Sequence, residues 1–284
     1  MDLDIEYLRG WIGKTETMTE RLTPNLVTRF NATLDRDAPA DAGAEAPLMM
    51  HFCLAQPVAP AGRLGDDGHP RRGGFLPPVP LPRRMWAGGE ITFIAPLIID
   101  EMVTRTSRIE DVEVKQGRTG RLCFVTVMHE YSSAGKLVVR ERQDVVYRDA
   151  PSKTGAETGG AAEPRDPAPV GEATRQVTAD ATMLFRYSAI TFNGHRIHYD
   201  APYARQVEGY GGLVVHGPLQ ATMMAHMAAD LRGATPSRFS FRGKSPIFDD
   251  APFTVHAVEN EAGLSLWTAR DGGPVAMQAK AGWS

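Results

Sequence analysis

The run Asn193-Gly194-His195-Arg196-Ile197-His198-Tyr199-Asp200 carries two histidines three positions apart, and a second polar block, His216-Gly217-Pro218, opens a Met-rich stretch further along. Imidazole is the side chain best suited to take and return a proton near neutral pH, and a backbone N–H at a helix start stabilises charge developing on a carbonyl oxygen. Together the two blocks point to acid/base work on a carbonyl compound.

Each residue also has a plainer reading. Taken alone, a histidine such as His198 is more often a hydrogen-bonded structural residue than a proton carrier. His195 divides evenly between support of its neighbour and an ordinary loop position. Asn193 can accept from water and donate to it, but a carboxamide takes up no proton at ordinary pH, so it orients water without activating it. Asp200, before Ala201-Pro202, suits a turn. Gly217 either presents its amide to a ligand or only permits a tight turn into the helix, and Pro218 suits the first helical position because its missing donor is not needed there. Met223, Met224 and Met227 read as core.

The elements that would hold these groups are legible as two similar halves. Arg29-Phe30-Asn31-Ala32-Thr33-Leu34 parallels Arg186-Tyr187-Ser188-Ala189-Ile190-Thr191, and Ile91 to Asp100 parallels Phe239 to Asp250. Strand-like runs follow in both: Val103 to Val114, Arg121 to Tyr131 and Lys136 to Tyr147, then Phe253 to Asn260, Gly263 to Ala269 and Pro274 to Trp283. Helical material precedes each sheet. In the second half Gly217-Pro218 opens a helix with Leu219, Met223, Met227 and Leu231 at i+4 spacing and Gly233 as its stop. Residues 151–174 are poor in large apolar side chains and rich in Gly, Pro and Ala, and read as a linker. The first half has neither a His at the matching distance nor a His-Gly-Pro helix start. Instead it carries an insertion, Pro57 to Gly89, dense in Pro, Gly and Arg, and a loop of that length is either mobile or functional.

Bulk properties exclude several classes. A chain of 284 residues with 42% hydrophobic and 23% charged residues has the profile of a soluble globular protein with room for two cores. The formal charge of −3 argues against a general nucleic-acid surface, although Arg71, Arg72, Arg83 and Arg84 form a local basic cluster. No apolar run reaches the roughly 18 residues of a membrane span, and the N-terminus is acidic where a targeting peptide would be basic, so a cytoplasmic location with no membrane partner is expected. Cys53 and Cys123 lack the spacing of a zinc site; no metal is expected, and a reducing compartment fits.

The motif from Phe185 through Asn193 and His198, with Tyr203-Ala204 and Gly212-Leu213-Val214-Val215-His216-Gly217-Pro218-Leu219-Gln220, resembles the MaoC-like hydratase/dehydratase family. The stretch Gly73 to Gly89, with Pro82-Arg83-Arg84-Met85-Trp86-Ala87-Gly88-Gly89, is similar to the branch holding mesaconyl-C4-CoA hydratases, itaconyl-CoA hydratases and type 2 hydroxyacyl-thioester dehydratases. The resemblance implies an α+β double hot dog: an N-terminal hot-dog domain in 1–150 that shapes the pocket, the linker, and a catalytic hot-dog domain in 175–284. It implies a hydro-lyase that adds water to an enoyl-CoA, mesaconyl-C4-CoA first among the substrates, with no cofactor beyond the CoA of the substrate, and a homodimer. His198 is then the acid/base residue. Asn193 stands where the family carries an Asp, and the Gly217 amide faces the thioester oxygen. Arg83, Arg84, Arg242, His195 and His216 are assigned to substrate binding, the arginines to CoA phosphates or a free carboxylate; Arg71 and Arg72 read as solvated, and Arg242 alternatively points to solvent. A dehydratase of fatty-acid metabolism would need a longer apolar pocket. Two further readings stay open: a hot-dog thioesterase using Glu208, and a non-catalytic acyl-CoA-binding protein.

Overall fold

A computed structural model describes residues 3–117, 120–149 and 166–283. Ten antiparallel strands form one continuous sheet: β1 (Thr15–Arg21), β2 (Arg83–Phe93), β3 (Met102–Gly117), β4 (Gly120–Ser133), β5 (Lys136–Arg148), β6 (Ala173–Val177), β7 (Arg238–Gly243), β8 (Phe253–Asn260), β9 (Gly263–Ala269) and β10 (Val275–Gly282). Their order is β1-β3-β4-β5-β2-β7-β10-β9-β8-β6. The halves of the chain are therefore halves of the sheet, joined where β2 pairs with β7 from Gly88↔Arg242 to Thr92↔Arg238. All six expected strands are present, within a few residues of their expected ends, because alternating burial along them matches the period-2 pattern of an antiparallel sheet with one covered face.

The helices are α1 (Ile5–Arg9), α2 (Pro24–Thr33), α3 (Ala181–Ile190), α4 (Ala201–Gln206) and α5 (Gly217–Arg232). The paralleled segments are α2 and α3, which start alike. Thr23 caps α2 by accepting from the Leu26 N–H, and Asp180 caps α3 by accepting from that of Met183. Phe30 and Tyr187, at matching places, are both fully buried in one core that spans the two halves.

In the second half α5 lies in the curve of the sheet and stops at Gly233, whose φ of 66° suits a residue without a Cβ. Its burial is not the expected i+4 stripe. Leu219 and Met227 are buried, Met223 only partly, and Leu231 is exposed, whereas Met224, Ala225, Ala228 and even Gln220 and Thr222 are buried. A helix enclosed by sheet on one side and by neighbouring helices and turns on the other needs small and apolar residues all round. The first half has no such helix among its described residues; at that place in the chain it has a single 3-10 turn, Met50–Cys53.

The expected linker is only partly free of structure. Residues 151–165 lie outside the described residues, but 166–172 run along the second half, where Ala168 N–H bonds to the Gly273 carbonyl and the Trp267 indole donates to that of Pro169. Residues 173 and 174 already belong to β6. No helix among the described residues is long and apolar enough to cross a membrane.

Candidate active site

A cavity of about 1330 Å³ opens between the halves and collects most of the residues singled out by type and spacing. The chain leaving α3 is pinned before it reaches His198: the Asn193 N–H bonds to the Ser188 carbonyl, and Asn193 Oδ1 accepts from the His195 N–H at 3.0 Å. Asn193 is thus an Asx turn whose oxygen is already engaged, at the cavity wall. Asp200 caps α4 through the Tyr203 N–H and binds the Arg196 guanidinium at 2.7 Å. It is a structural residue, as its place before Pro202 implied.

His198 is buried, lines the cavity, and has one ring nitrogen committed. Its Nδ1 lies 2.7 Å from the Val214 carbonyl oxygen, which can only accept, so Nδ1 carries the hydrogen and Nε2 keeps its lone pair. Burial holds its pKa down to about 4, opposed by that backbone bond, so the ring is neutral near pH 7. Val214 in turn donates its N–H to the Ile197 carbonyl, which ties this loop to the segment entering α5.

His216, assigned to substrate binding, is elsewhere. It is fully buried outside the cavity lining, stacked on His198 with ring centres 3.6 Å apart, and its Nε2 meets Ser188 Oγ at 2.8 Å. It backs the His198 ring and does not line the cavity. Gly217 is the first residue of α5 and lines the cavity; Pro218 is second, not first as expected. Helix-start N–H groups have no intrahelical acceptor, so the Gly217 amide with the helix dipole behind it is a ready donor. A Cβ here would lie 3.0 Å from Cε3 of Trp86, whose ring packs against Phe52 and Phe241.

The arginines divide. Arg83 is buried in an ion pair with Glu208 (Nε to Oε2 3.2 Å), donates to the Glu208 carbonyl and lies over the Tyr210 ring. Arg84 lines the cavity, half-buried, and among the described residues has no carboxylate within 4 Å. Arg72 is not solvated; it donates to the carbonyls of Val79, Leu81 and Pro82 and shapes the insertion. Arg242 is exposed on β7, outside the cavity lining, since alternation along the strand turns Phe241 in and Arg242 out.

Two residues of the insertion that motif spacing does not single out lie beside this site. His69 lines the cavity beside His195, with Asp67 behind it: the His69 and His195 ring centres are 4.4 Å apart, and those of His195 and His198 are 5.6 Å apart. Asp67, His69 and His195 bring one ligand-type atom each within 4.8 Å of one another. Two imidazoles and a carboxylate are a donor set a divalent ion accepts. Here, however, the charge of Arg84 acts on all three groups, and Asp67 Oδ2 already accepts from His69 Nδ1 at 3.1 Å, so the trio is a hydrogen-bonded pair with His195 against it, beside a resident cation. An Asp-Gly-His triplet inside a Gly/Pro-rich loop was the signal available for it. Both thiols are buried and unpaired, and burial raises the pKa of each.

A helix start and a buried neutral imidazole on the wall of one cavity, between two fused halves of a sheet curved about a helix, define a class: double hot-dog enzymes acting on thioesters. The fold comparison agrees. The structure is similar to a MaoC-like dehydratase from Phytophthora capsici (TM-score 0.68, 13% identity, 99% of this chain and 100% of that one). It is also similar to a Mycobacterium tuberculosis protein described as a double hotdog fold (TM-score 0.56, 12% identity, 94% of each chain). The family model for hydroxyacyl-thioester dehydratase type 2 matches residues 49–249, and the chain belongs to that family. It is 41% identical over 272 residues to the mesaconyl-C(4)-CoA hydratase of Chloroflexus aurantiacus, covering 95% of both chains. The protein is a hydro-lyase acting on acyl-CoA thioesters.

Proposed function

We propose that the protein hydrates mesaconyl-C4-CoA to citramalyl-CoA, with His198 as the acid/base residue. The observation that carries this reading is the fixed tautomer of His198: with Nδ1–H on the Val214 carbonyl, Nε2 is an unoccupied base at the cavity wall. A water donates to Nε2 while its oxygen attacks the β-carbon. Negative charge moves to the thioester oxygen, where the Gly217 N–H stabilises it, and the proton held on His198 passes to the α-carbon. Atoms balance: one water is consumed, its OH on the β-carbon and its H on the α-carbon. Every step is assigned to groups of the protein, so the reading includes no cofactor beyond substrate CoA.

The substrate rests on the relative's 41% identity and on Arg84, a cavity cation free of any carboxylate partner within 4 Å among the described residues, which suits an acyl group ending in a carboxylate. The thioesterase alternative loses its candidate, because the Glu208 carboxylate is held by Arg83. Incubation with mesaconyl-C4-CoA is expected to remove the enoyl absorbance and add the mass of one water without releasing thiol. Thiol release, or faster hydration of long-chain enoyl-CoA esters than of mesaconyl-C4-CoA, overturns the reading. A cytoplasmic location is supported by the two unpaired thiols. A homodimer is supported by the pairing habit of hot-dog domains, and light scattering at twice 30.9 kDa would bear it out.

A further inference from the structure

Asn193 leaves a task open. Where a carboxylate would help hold and polarise the attacking water, this chain has a carboxamide whose oxygen is spent on the His195 N–H. Beside it, the cavity wall is completed by a segment from the other half of the molecule, and that segment is docked by its backbone. Arg196 donates its N–H to the Asp67 carbonyl at 2.9 Å and its guanidinium to that of Asp66 at 3.0 Å. Gly68 and Gly194 pass so closely that a Cβ on Gly194 would lie 2.5 Å from the Gly68 carbonyl oxygen. Contact of this kind holds the Asp67-Gly68-His69 triplet against the His195–His198 loop with no room for a side chain between the two glycines.

The hydrogen-bond roles in the triplet are determined. Asp67 Oδ1 accepts from the His69 N–H at 3.0 Å and Oδ2 from the ring Nδ1 at 3.1 Å, so Nδ1 carries the hydrogen and Nε2 of His69 keeps a lone pair. The His195 ring nitrogens make no protein hydrogen bond among the described residues, and both His69 and His195 line the cavity. Their ligand-type atoms are within 4.8 Å of each other, a span that one water closes. Burial keeps both rings below the ordinary imidazole range and hence neutral, so that His69 offers water its Nε2 acceptor and His195 offers one donor and one acceptor.

Resting on the hydratase reading above, we propose that Asp67 and His69, carried across from the N-terminal half, complete the acid/base site by orienting, with His195, the water that His198 activates. His195 touches that water and is the catalytic residue added here. Asp67 and His69 are positioning residues: Asp67 sets the tautomer of His69, and His69 sets the ring of His195 through their ring contact and a bridging water. The chemistry is unchanged, since the attacking water still gives its proton to His198.

The test uses the full-length protein and mesaconyl-C4-CoA, with kcat, KM and Tm measured for H195Q, H69Q, D67N and the D67N/H69Q double variant. In D67N the carboxamide oxygen can still accept from the His69 N–H, so the turn stays intact while the new amide group forces the other tautomer on His69. Expected losses in kcat are about 100-fold for H195Q and about 10-fold for H69Q and for D67N, with KM within about twofold and Tm within about 2 °C. The double variant should be no slower than H69Q, because the two residues act through one ring. Wild-type kcat in D67N and H69Q overturns the inference, as does a loss confined to KM or Tm, which marks a structural loop. Loss of wild-type activity on chelation, restored by a divalent ion, also overturns it and makes the trio a metal centre. Absence of any hydration by the wild type overturns the underlying function instead.

Discussion

His129 of the first half and His198 of the second are both buried beside the cavity, yet only His198 keeps a ring nitrogen free for it. In the first, His129 on β4 meets Ser107 Oγ at 2.8 Å through Nδ1 and Gln143 Oε1 at 3.4 Å through Nε2, so both nitrogens are occupied. In the second, His198 spends Nδ1 on a carbonyl and keeps Nε2 for the cavity, next to a helix start. The first half has lost that helix start as well, keeping only the turn Met50–Cys53 where the second has the 16 residues of α5. The insertion that follows this turn carries Asp67-Gly68-His69, which lies against the His195–His198 loop of the other half. The first half thus supplies a wall of the cavity beside His198.

The comparison breaks most sharply at the two histidines. Replacing His198 by Ala is expected to lower kcat about 1000-fold or more, whereas His129→Ala should lower Tm and change kcat less than about threefold. The wild-type profile sharpens this further. Because His198 must be neutral and burial holds its pKa down to about 4, kcat should stay level from pH 7 downward and fall only as pH drops through about 4. A limb near 6.5, the ordinary imidazole value, would mean that another group carries the proton. The fold has its own pH dependence. All eight histidines have pKa values lowered in the folded state, so the unfolded chain binds more protons, and stability should decline as pH falls below about 6.5.

The helix start comes next. Gly217→Ala puts a Cβ 3.0 Å from the Trp86 ring, which is wedged between Phe52 and Phe241 and has little room to yield. The resulting shift of the amide should cost about 100-fold in kcat with a smaller change in KM, the signature of a donor used in the transition state. Equal loss in KM alone would leave Gly217 a packing residue. Arg84→Ala should act in the opposite way, raising KM for mesaconyl-C4-CoA about 10-fold or more while leaving an enoyl-CoA without a carboxylate unaffected, since charge-assisted bonds contribute about 1.5–3 kcal/mol.

Much of this was legible in the sequence, and the failures share a cause. Strand limits and the stop at Gly233 follow from local patterns, and local geometry enforces them. His198, Asn193 and Gly217 were singled out because motif spacing survives folding: each lines the cavity, Asn193 just past α3, His198 at the end of a 3-10 turn and Gly217 at the start of α5. His216 was misassigned because adjacency to Gly217 says nothing about which way a ring turns; Ser188 draws it inward. The i+4 stripe on α5 failed because a helix enclosed on all sides has no polar face to set a period. Asp67 and His69 carried only the weak signal of an Asp-Gly-His triplet, because their contact with the His195–His198 loop runs largely through backbone atoms, glycine against glycine, and leaves little pattern in side-chain chemistry.

Arg242 gives the smallest expected effect and a clean control on the seam between the halves. A charge in a strand-like run drew attention as an anion site, but its Cα pairs with Gly88 across the β2–β7 junction while its side chain projects to solvent. Its neighbour Phe241 points inward to Trp86, so one residue of register separates a group that shapes the cavity from one that cannot reach it. Arg242→Ala should therefore leave kcat and KM within about twofold, consistent with exposed charges contributing little. A tenfold rise in KM would require Arg242 to reach the substrate, and with it a β7 shifted by one residue, which would also turn Phe241 away from Trp86 and dismantle the packing that fixes Gly217.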